Sequence, residues 1–308
     1  MTETERIISE GIISKEFLEK EIRSGFVVES EKKKIWAIEI DLLLKFSEVC
    51  RRHNLHWFLM FGSLLGAIRH QGFIPWDDDL DIAMPRSDYE KLLTLNSEFT
   101  FPYFLQTPYT DEGYFYSFAK IRNSNTSMIA AKFINQGYNQ GIAIDIFPLD
   151  QWDKEKGREL FSEIKELIIK NSTFMRLKMI NPTESDIKRI NQYDNSNPFD
   201  TYNRIQSLAK TFSECETKYL SVPVLSIYGY DKMVFGKEDF SSSKNMKFEN
   251  NDCPIPVGFD KILETIYGNY LELPPENERG GWHDFIIDPD KTYKSVIQKL
   301  YYSKGKSS

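Results

Sequence analysis

The sequence predicts an α+β fold, in which a mixed sheet core with helices is joined to a mainly helical additional region. Two observations lead to this prediction. Short apolar or alternating segments typical of strands are interleaved with helical periodicity between residues 31 and 150. After Trp152 the apolar residues instead recur at helical spacing within long polar runs. With 41% hydrophobic residues in 308, the chain has enough apolar material for a sizeable core.

These patterns divide the chain into four segments. Residues 1–30 are polar and mixed in charge, and we interpret them as an N-terminal extension. Residues 31–150 form the predicted α+β core, and residues 151–258 a helical insertion. Residues 259–308 are predicted to pack back on the core, beginning with a helix over 259–267.

Composition and charge exclude several classes of protein. Against 46 Asp and Glu there are 39 Lys and Arg, and the resulting net charge of −7 argues against non-specific nucleic-acid binding. No apolar run reaches the roughly 18 residues of a membrane span, and the N-terminus lacks a signal-peptide pattern, so we expect a cytoplasmic protein with at most peripheral membrane contact. The scattered Cys50, Cys215 and Cys253 indicate neither a disulfide framework nor a metal knuckle.

The first elements of the core follow from apolar spacing. An amphipathic helix is predicted from residue 31 to about 53. The aromatic-rich segment 56–61 predicts a strand. Gly62-Ser63 then predicts a tight turn before a helix that Gly72 ends.

The second half of the core is predicted to consist mostly of strands. The alternation in 77–84 predicts a strand that Pro85 ends, followed by a helix over 86–95. Further strands are predicted over 114–122, 126–130 and 141–147, with Pro148 ending the last. Residues 241–251, rich in Ser, Asn and Lys, are interpreted as a loop.

The densest chemical signal is a group of four aspartates, Asp77, Asp78, Asp79 and Asp81. Residues two apart in a strand share a face, so Asp79 and Asp81 are expected to project together. Such a pair suits a hard divalent cation, Mg²⁺ or alternatively Mn²⁺, while a solvated acidic turn is the alternative interpretation. An EF-hand loop is excluded, because Ile82 and Asp88 stand where that loop requires Gly and Glu.

A second signal is Asp145, which stands alone in an apolar segment. Burying a carboxylate is costly unless it pairs with a Lys or Arg or binds a metal. If its strand lies beside that of Asp79 and Asp81, three carboxylates converge and suit phosphoryl-type transfer. Gly62-Ser63, between a strand and a helix, would add backbone N–H groups that can bind an anion.

The order of these motifs resembles the nucleotidyltransferase superfamily of the polymerase-β type. The segment 61–89, FGSLLGAIRHQGFIPWDDDLDIAMPRSDY, resembles the signature of the LicD family, relatives of the fukutin-related proteins. Three later segments, 119–126, 144–150 and 266–279, also resemble this family, with His283 shortly after the last. The resemblance covers about residues 35–150 and 259–285.

The resemblance implies a nucleotidyltransferase-like fold and a Mg²⁺-dependent phosphotransferase. Its reaction would transfer a phospho-alcohol, most often phosphocholine from CDP-choline, to a sugar hydroxyl of a teichoic acid, capsule or lipopolysaccharide precursor. The acceptor would be a glycan or a lipid-linked oligosaccharide, bound in part by the helical insertion. Asp79 and Asp81 would be metal ligands, and Asp145 a third carboxylate, as ligand or as base.

The same resemblance assigns the donor's phosphates to residues around these acids. Gly62 and Ser63 would hold the nucleotide diphosphate. The basic residues on matching motifs would clamp phosphates, because a pyrophosphate carries more charge than one Mg²⁺ offsets: Arg69, His70, Lys120 and Arg122. Less specific members of the expected site are Asp77, Asp78, Arg279 and His283.

The residues leave alternatives open. CDP-glycerol, CDP-ribitol or a phosphoethanolamine donor would use the same metal site, and a nucleotide-sugar glycosyltransferase would also use an Asp-x-Asp pair. A catalytically silent glycan-binding protein is the third alternative. Choline would require an aromatic cage for its quaternary ammonium, for which Trp57, Trp76, Trp152, Trp282 and several tyrosines are available.

Overall fold

The computed structural model describes residues 1–179, 181–280 and 285–304. These residues form nine α-helices: α1 (Glu3–Ser9), α2 (Ser30–His53), α3 (Phe61–His70), α4 (Arg86–Leu93), α5 (Gly157–Arg176), α6 (Glu184–Asn191), α7 (Pro198–Ala209), α8 (Phe259–Tyr267) and α9 (Tyr293–Lys304). They also form thirteen strands: β1 (Glu21–Arg23), β2 (Phe26–Val28), β3 (Phe58–Leu59), β4 (Asp81–Pro85), β5 (Tyr103–Gln106), β6 (Ala119–Asn123), β7 (Ser127–Ala130), β8 (Ile142–Trp152), β9 (Tyr219–Ser221), β10 (Val234–Gly236), β11 (Ser243–Phe248), β12 (Asn251–Pro256) and β13 (Phe285–Asp288). Within those ranges, none of the helices has the length and apolarity needed to cross a membrane.

Seven of these strands form one mixed sheet around β8. β4 pairs with β8 in parallel, whereas β6 and β9 pair with it antiparallel. β3 extends the sheet beyond β4, β5 beyond β6, and β10 beyond β9. The prediction of a mixed sheet with helices is therefore confirmed.

Helix α2 packs against β8 and β6 and forms the centre of the hydrophobic core. It ends as predicted, with Asn54 in the left-handed conformation at φ 51°. Trp36 on this helix is fully buried and stacks on Phe73 with 4.9 Å between ring centroids. This packing anchors α2 behind the loop that precedes β4, because Phe73 belongs to that connection.

Several predicted boundaries in the core were wrong. The strand predicted over 77–84 begins only at Asp81, and the strand over 56–61 is reduced to Phe58–Leu59. Gly62 and Ser63 lie inside the first turn of α3, and Gln71, with φ 55°, caps that helix where Gly72 was expected. Hydrogen bonding decides these limits, since the backbone N–H of Met60 already donates to the Asp81 carbonyl at 3.0 Å.

Pro148 does not end its strand, because β8 continues to Trp152. β6 pairs with β8 up to Ile146, and β9 pairs with it from Asp150 onward. Pro148 lies between those two segments, where β8 is paired with β4 on one side. A residue without an N–H is tolerated there, as it would be in an edge strand.

The middle of the chain is helical only as far as Ala209. α5, α6 and α7 confirm the predicted helical character of that part. β9 and β10 then return to the main sheet, and the hairpin β11–β12 replaces most of the loop predicted over 241–251. Most β11 side chains are exposed, so the strand lacks the apolar alternation that would have predicted it. The helix predicted over 259–267 is confirmed as α8.

Candidate active site

Asp81 and Asp145 lie side by side on neighbouring parallel strands. In the β4–β8 register their Cα atoms are direct partners, and the backbone N–H of Asp145 donates to the Leu80 carbonyl at 2.9 Å. Lys120 on β6 is the partner of Asp145 on the other side of β8. Its Nζ donates to Asp145 Oδ1 at 2.5 Å, and both side chains are 18% exposed. Asp145 therefore has the Lys partner that the sequence allowed and also lies beside an acidic strand.

The other three aspartates, Asp77, Asp78 and Asp79, lie in the loop before β4, which we call the aspartate loop. Helix α2 holds this loop in place. The Asp77 carbonyl accepts hydrogen bonds from Lys32 Nζ at 3.3 Å and from Trp36 Nε1 at 3.2 Å. The Asp77 backbone N–H donates to the Ile74 carbonyl at 2.9 Å. Asp79 thus reaches the site from this loop, and the expectation that it shares a strand with Asp81 was wrong.

Mutual repulsion between these acids is strong. Burial raises the pKa of Asp79 well above its usual value, and the charges of Asp81, Asp77 and Asp145 raise it further. The pKa of Asp81 is likewise raised well above its usual value, first by burial and then by Asp145 and Asp77. Lys120 lowers the pKa of Asp81 but does not outweigh these effects. The arrangement therefore places excess negative charge where a cation would be stabilised.

We expect these acids to stabilise the cation-free protein increasingly as the pH falls from neutral toward their ordinary pKa of 3.8. The pKa values of Asp77, Asp79 and Asp81 are raised above their ordinary 3.8, so the folded state binds more protons than the unfolded state in this window. The stability that is fully present below 3.8 is lost as the pH rises through these raised values, by up to about 1.4 kcal/mol per pH unit and per group. Urea unfolding in EDTA at several pH values measures this slope. An Asp79→Asn variant should show a shallower slope, and equal slopes would contradict the prediction.

The first turn of α3 packs directly on these carboxylates. Ser63 is buried, and its Oγ accepts the backbone N–H of Asp81 at 2.8 Å, so its hydroxyl fixes the start of β4. A Cβ on Gly62 would lie 2.9 Å from Asp77 Oδ2 and 3.9 Å from Asp81 Oδ2. Glycine is required here because the acids approach its backbone closely.

Arg69 and His70, at the end of α3, form a linked pair. Arg69 Nε donates to His70 Nε2 at 2.9 Å, and its Nη1 donates to the carbonyls of Tyr270 and Glu272. Burial and the positive charges of Arg69 and Arg23 lower the pKa of His70 to about 4. His70 is therefore neutral near pH 7, and the positive charge at this helix end is that of Arg69.

The remaining predicted cations have different surroundings. Arg122 is buried and donates to Gln106 Oε1 and to the Gly141 carbonyl, so it ties β6 to its neighbours. The Arg279 guanidinium lies 5.4 Å from the Trp76 ring centroid, on the ring that Arg69 also approaches, at 5.9 Å. The structure thus brings Lys120 to the acids and uses Arg122 inside the fold. His283 lies outside the described residues.

Two tyrosines from the C-terminal half also lie near the acids. Trp57 and Trp152 are buried, and the ring of Trp76 is approached by two arginines; Trp282 lies outside the described residues. In contrast, Tyr228 and Tyr267 are 59% and 43% exposed. Burial raises the pKa of both phenols, and the charges of Asp81, Asp79 and Asp77 raise it further. These two tyrosines carried no local signal in the sequence, since only the fold brings them to the site.

The donor set fits a hard divalent cation. Its atoms are carboxylate oxygens, which Mg²⁺ prefers, and the acids repel one another when no cation is bound. In the described part of the chain, no three Asp, Glu, His or Cys side chains are arranged to hold a metal by themselves. Mg²⁺ commonly binds through one or two carboxylates completed by water and substrate phosphates. The site therefore suits a cation bound together with a phosphorylated ligand.

The part of the chain that carries these acids is similar in sequence to known proteins. The LicD/FKTN/FKRP nucleotidyltransferase domain family matches residues 54–193. The chain is 25% identical over 257 residues to the lipopolysaccharide cholinephosphotransferase LicD of Haemophilus influenzae, covering 79% of this chain and 92% of that protein. It is also 45% identical over 60 residues to an uncharacterized protein of Rickettsia typhi, covering 19% of this chain and 18% of that one.

The mixed sheet brings carboxylates from β4 and β8 beside the N-terminus of α3, and these elements lie within the matched nucleotidyltransferase domain. This arrangement is typical of a group-transfer enzyme. Residues 54–193 match the LicD/FKTN/FKRP nucleotidyltransferase domain, and this match together with the similarity to the Haemophilus cholinephosphotransferase supports a phosphotransferase. The matched segment contains α3, the aspartate loop, β4 and β8, and so includes the acids described above.

Proposed function

We propose that this enzyme transfers phosphocholine from CDP-choline to a sugar hydroxyl of a cell-surface glycan precursor, with Mg²⁺ bound at the aspartates. The observation that carries the proposal is the direct pairing of Asp81 with Asp145 across β4 and β8, next to Asp79 and Lys120. The Haemophilus relative is named for phosphocholine transfer to lipopolysaccharide, which supports the transferred group and the acceptor class.

In the proposed reaction, an oxygen of the acceptor forms a bond to the phosphorus of the phosphocholine group. The bond from that phosphorus to the oxygen of CMP breaks, CMP leaves, and the hydroxyl proton passes to a carboxylate. Asp79 and Asp81 would hold the cation, whose charge would offset that of the diphosphate. Lys120 occupies one oxygen of Asp145, which leaves its second oxygen to accept the proton or to serve as a ligand.

Residues around the acids would bind the two ends of the donor. The absence of a side chain at Gly62 lets the carboxylates of Asp77 and Asp81 approach the first turn of α3, and the phosphates of the donor would bind beside them together with the cation. The exposed rings of Tyr228 and Tyr267 offer π faces next to negative charge, an environment that suits a quaternary ammonium. Tyrosines were among the aromatic residues that the sequence offers for such a cage, and these two would form it.

Thermal unfolding with different nucleotides tests the proposal without an acceptor. With Mg²⁺ and CDP-choline at about 100 times its Kd, we expect about 2.7 kcal/mol of stabilisation and a Tm increase of several degrees. Asp79→Asn should abolish the shift. The exposed Asp252, which pairs with Lys247 in the β11–β12 hairpin, provides the matched control, and Asp252→Asn should retain the shift.

The competing donors define the other outcomes of this experiment. A shift with CDP-glycerol or CDP-ribitol in place of CDP-choline would replace phosphocholine by a polyol phosphate. A shift with UDP-sugars alone would favour a glycosyltransferase, and no shift with any nucleotide would contradict the proposal. Release of CMP from CDP-choline in the presence of a glycan acceptor then measures the transfer itself.

A further inference from the structure

A further carboxylate lies behind the site on helix α2. Glu39 is 0% exposed, and it stands seven residues after Lys32 and three after Trp36, which places the three on one face of the helix. Lys32 and Trp36 both donate to the Asp77 carbonyl. The face that carries Glu39 is therefore the face that contacts the aspartate loop.

Glu39 differs from the other buried acids in having no hydrogen-bond partner for its carboxylate. Within the described residues, neither Oε1 nor Oε2 of Glu39 has a partner. Asp41 on the same helix accepts from Arg6 Nη2 at 2.6 Å and from Tyr103 Oη at 3.0 Å. Asp150 accepts two hydrogen bonds from Arg86. Since buried carboxylates without partners are costly, Glu39 requires an explanation that the fold alone does not provide.

The groups around Glu39 point to a cation. Its electrostatic neighbours are Asp78, Asp77 and Asp145, all acidic, and Lys32 is the opposing charge. Counting Glu39 with the five aspartates of the site gives six carboxylates, against Lys32 and Lys120. The ammonium of Lys32 is already hydrogen-bonded to the Asp77 carbonyl. Within the described residues, no hydrogen bond joins this ammonium to Glu39.

We propose that Glu39 is a ligand of the divalent cation, supplying a carboxylate oxygen from the α2 side of the site. The inference deepens the proposed function, on which it rests for the identity of the reaction. A carboxylate that the fold buries without a partner, on the helix face that contacts the aspartate loop, is explained when a cation is bound there. Within the described residues no three Asp, Glu, His or Cys side chains, Glu39 included, are placed to hold a metal by themselves, so water and substrate phosphates would complete the ligand set.

Binding of Mn²⁺ alone, measured by electron paramagnetic resonance and calorimetry without nucleotide, tests this assignment. Glu39→Gln should weaken Mn²⁺ binding at least tenfold, and Glu39→Asp, which keeps the charge on a shorter side chain, should give an intermediate affinity. Glu48→Gln is the matched control on the same helix, because Glu48 is exposed and pairs with Lys45 and Arg52. This control should bind Mn²⁺ like the wild type.

A stability measurement guards against misreading a folding defect. In EDTA, Glu39→Gln should unfold at a Tm equal to or above that of the wild type, because the change removes a buried charge without a partner. The Tm increase that Mn²⁺ produces should shrink in this variant. Wild-type Mn²⁺ affinity in Glu39→Gln would overturn the inference and make Glu39 a buried structural group.

The same measurements separate this inference from the proposed function. A wild-type protein that binds no Mn²⁺ would overturn both the inference and the metal-dependent part of the proposed function. Weakened Mn²⁺ binding in Glu39→Gln, with no turnover of CDP-choline by the wild type, would support Glu39 as a ligand while contradicting phosphocholine transfer.

Discussion

An Asp81→Asn variant is expected to transfer phosphocholine about a thousandfold more slowly than the wild type, a loss of roughly 4 kcal/mol of transition-state stabilisation. Asp81 begins β4, pairs with Asp145 across β8, and lies within reach of Asp77 and Asp79. The amide has no negative charge, so it would hold a cation weakly and leave the charge on the phosphates less well compensated. CMP release from CDP-choline with a glycan acceptor measures the rate.

Folding of this variant serves as its internal control. Burial and the neighbouring acids raise the pKa of Asp81, so a neutral amide is compatible with its surroundings in the cation-free protein. We therefore expect Asp81→Asn to be at least as stable as the wild type in EDTA while losing activity. Near-normal turnover in a folded Asp81→Asn protein would show that Asp81 does not take part in the reaction.

The position of the acids could be predicted because the evidence for each one is local. An apolar segment around Asp145 predicted a buried strand, and the alternation in 77–84 predicted a second one. Two buried strands in a small mixed core are often neighbours, and the structure makes Asp81 and Asp145 direct partners. What the local pattern could not give was the exact start of β4, because hydrogen bonds from α2 and from Met60 set it.

Contributions from distant segments could not be predicted. Glu39 lies outside the apolar stripe of α2, yet it is fully buried, because the side of the helix that faces the aspartate loop differs from the side that apolar spacing defines. Tyr228 and Tyr267 come from segments more than 140 residues after Asp81. No spacing rule connects such residues, and tertiary packing alone brings them together.

Basic residues show a further limit of motif reasoning. Lys120 and Arg122 lie two apart on β6 and belong to the same matching motif. Lys120 pairs with Asp145 at the site, whereas Arg122 is buried and bonded to Gln106 and Gly141. A motif therefore records which residues the family shares, and the structure distinguishes those that contact the site from those that hold the strands together.

The ion pair between Arg86 and Asp150 gives the largest stability effect that we expect. Arg86 Nε donates to Asp150 Oδ1 at 2.6 Å, and its Nη2 donates to Oδ2 at 2.7 Å. Asp150 is 2% exposed, and Gln206 accepts a third hydrogen bond from the Arg86 guanidinium. Asp150→Asn should cost about 3–5 kcal/mol in the free energy of unfolding, because it leaves a buried guanidinium without a counter-charge. Urea unfolding at constant pH measures this difference.

A double variant separates the cost of an unpaired charge from the value of the pair. Arg86→Met combined with Asp150→Leu should recover most of the lost stability, because replacing a buried ion pair by apolar groups of similar volume is often neutral. If the double variant is as unstable as Asp150→Asn, the pair itself stabilises the fold. Arg86 and Asp150 belong to two separate LicD-like segments, and they join the start of α4 to the C-terminal part of β8. We therefore expect either single change to reduce activity only as far as it reduces the folded fraction, in contrast to Asp81→Asn.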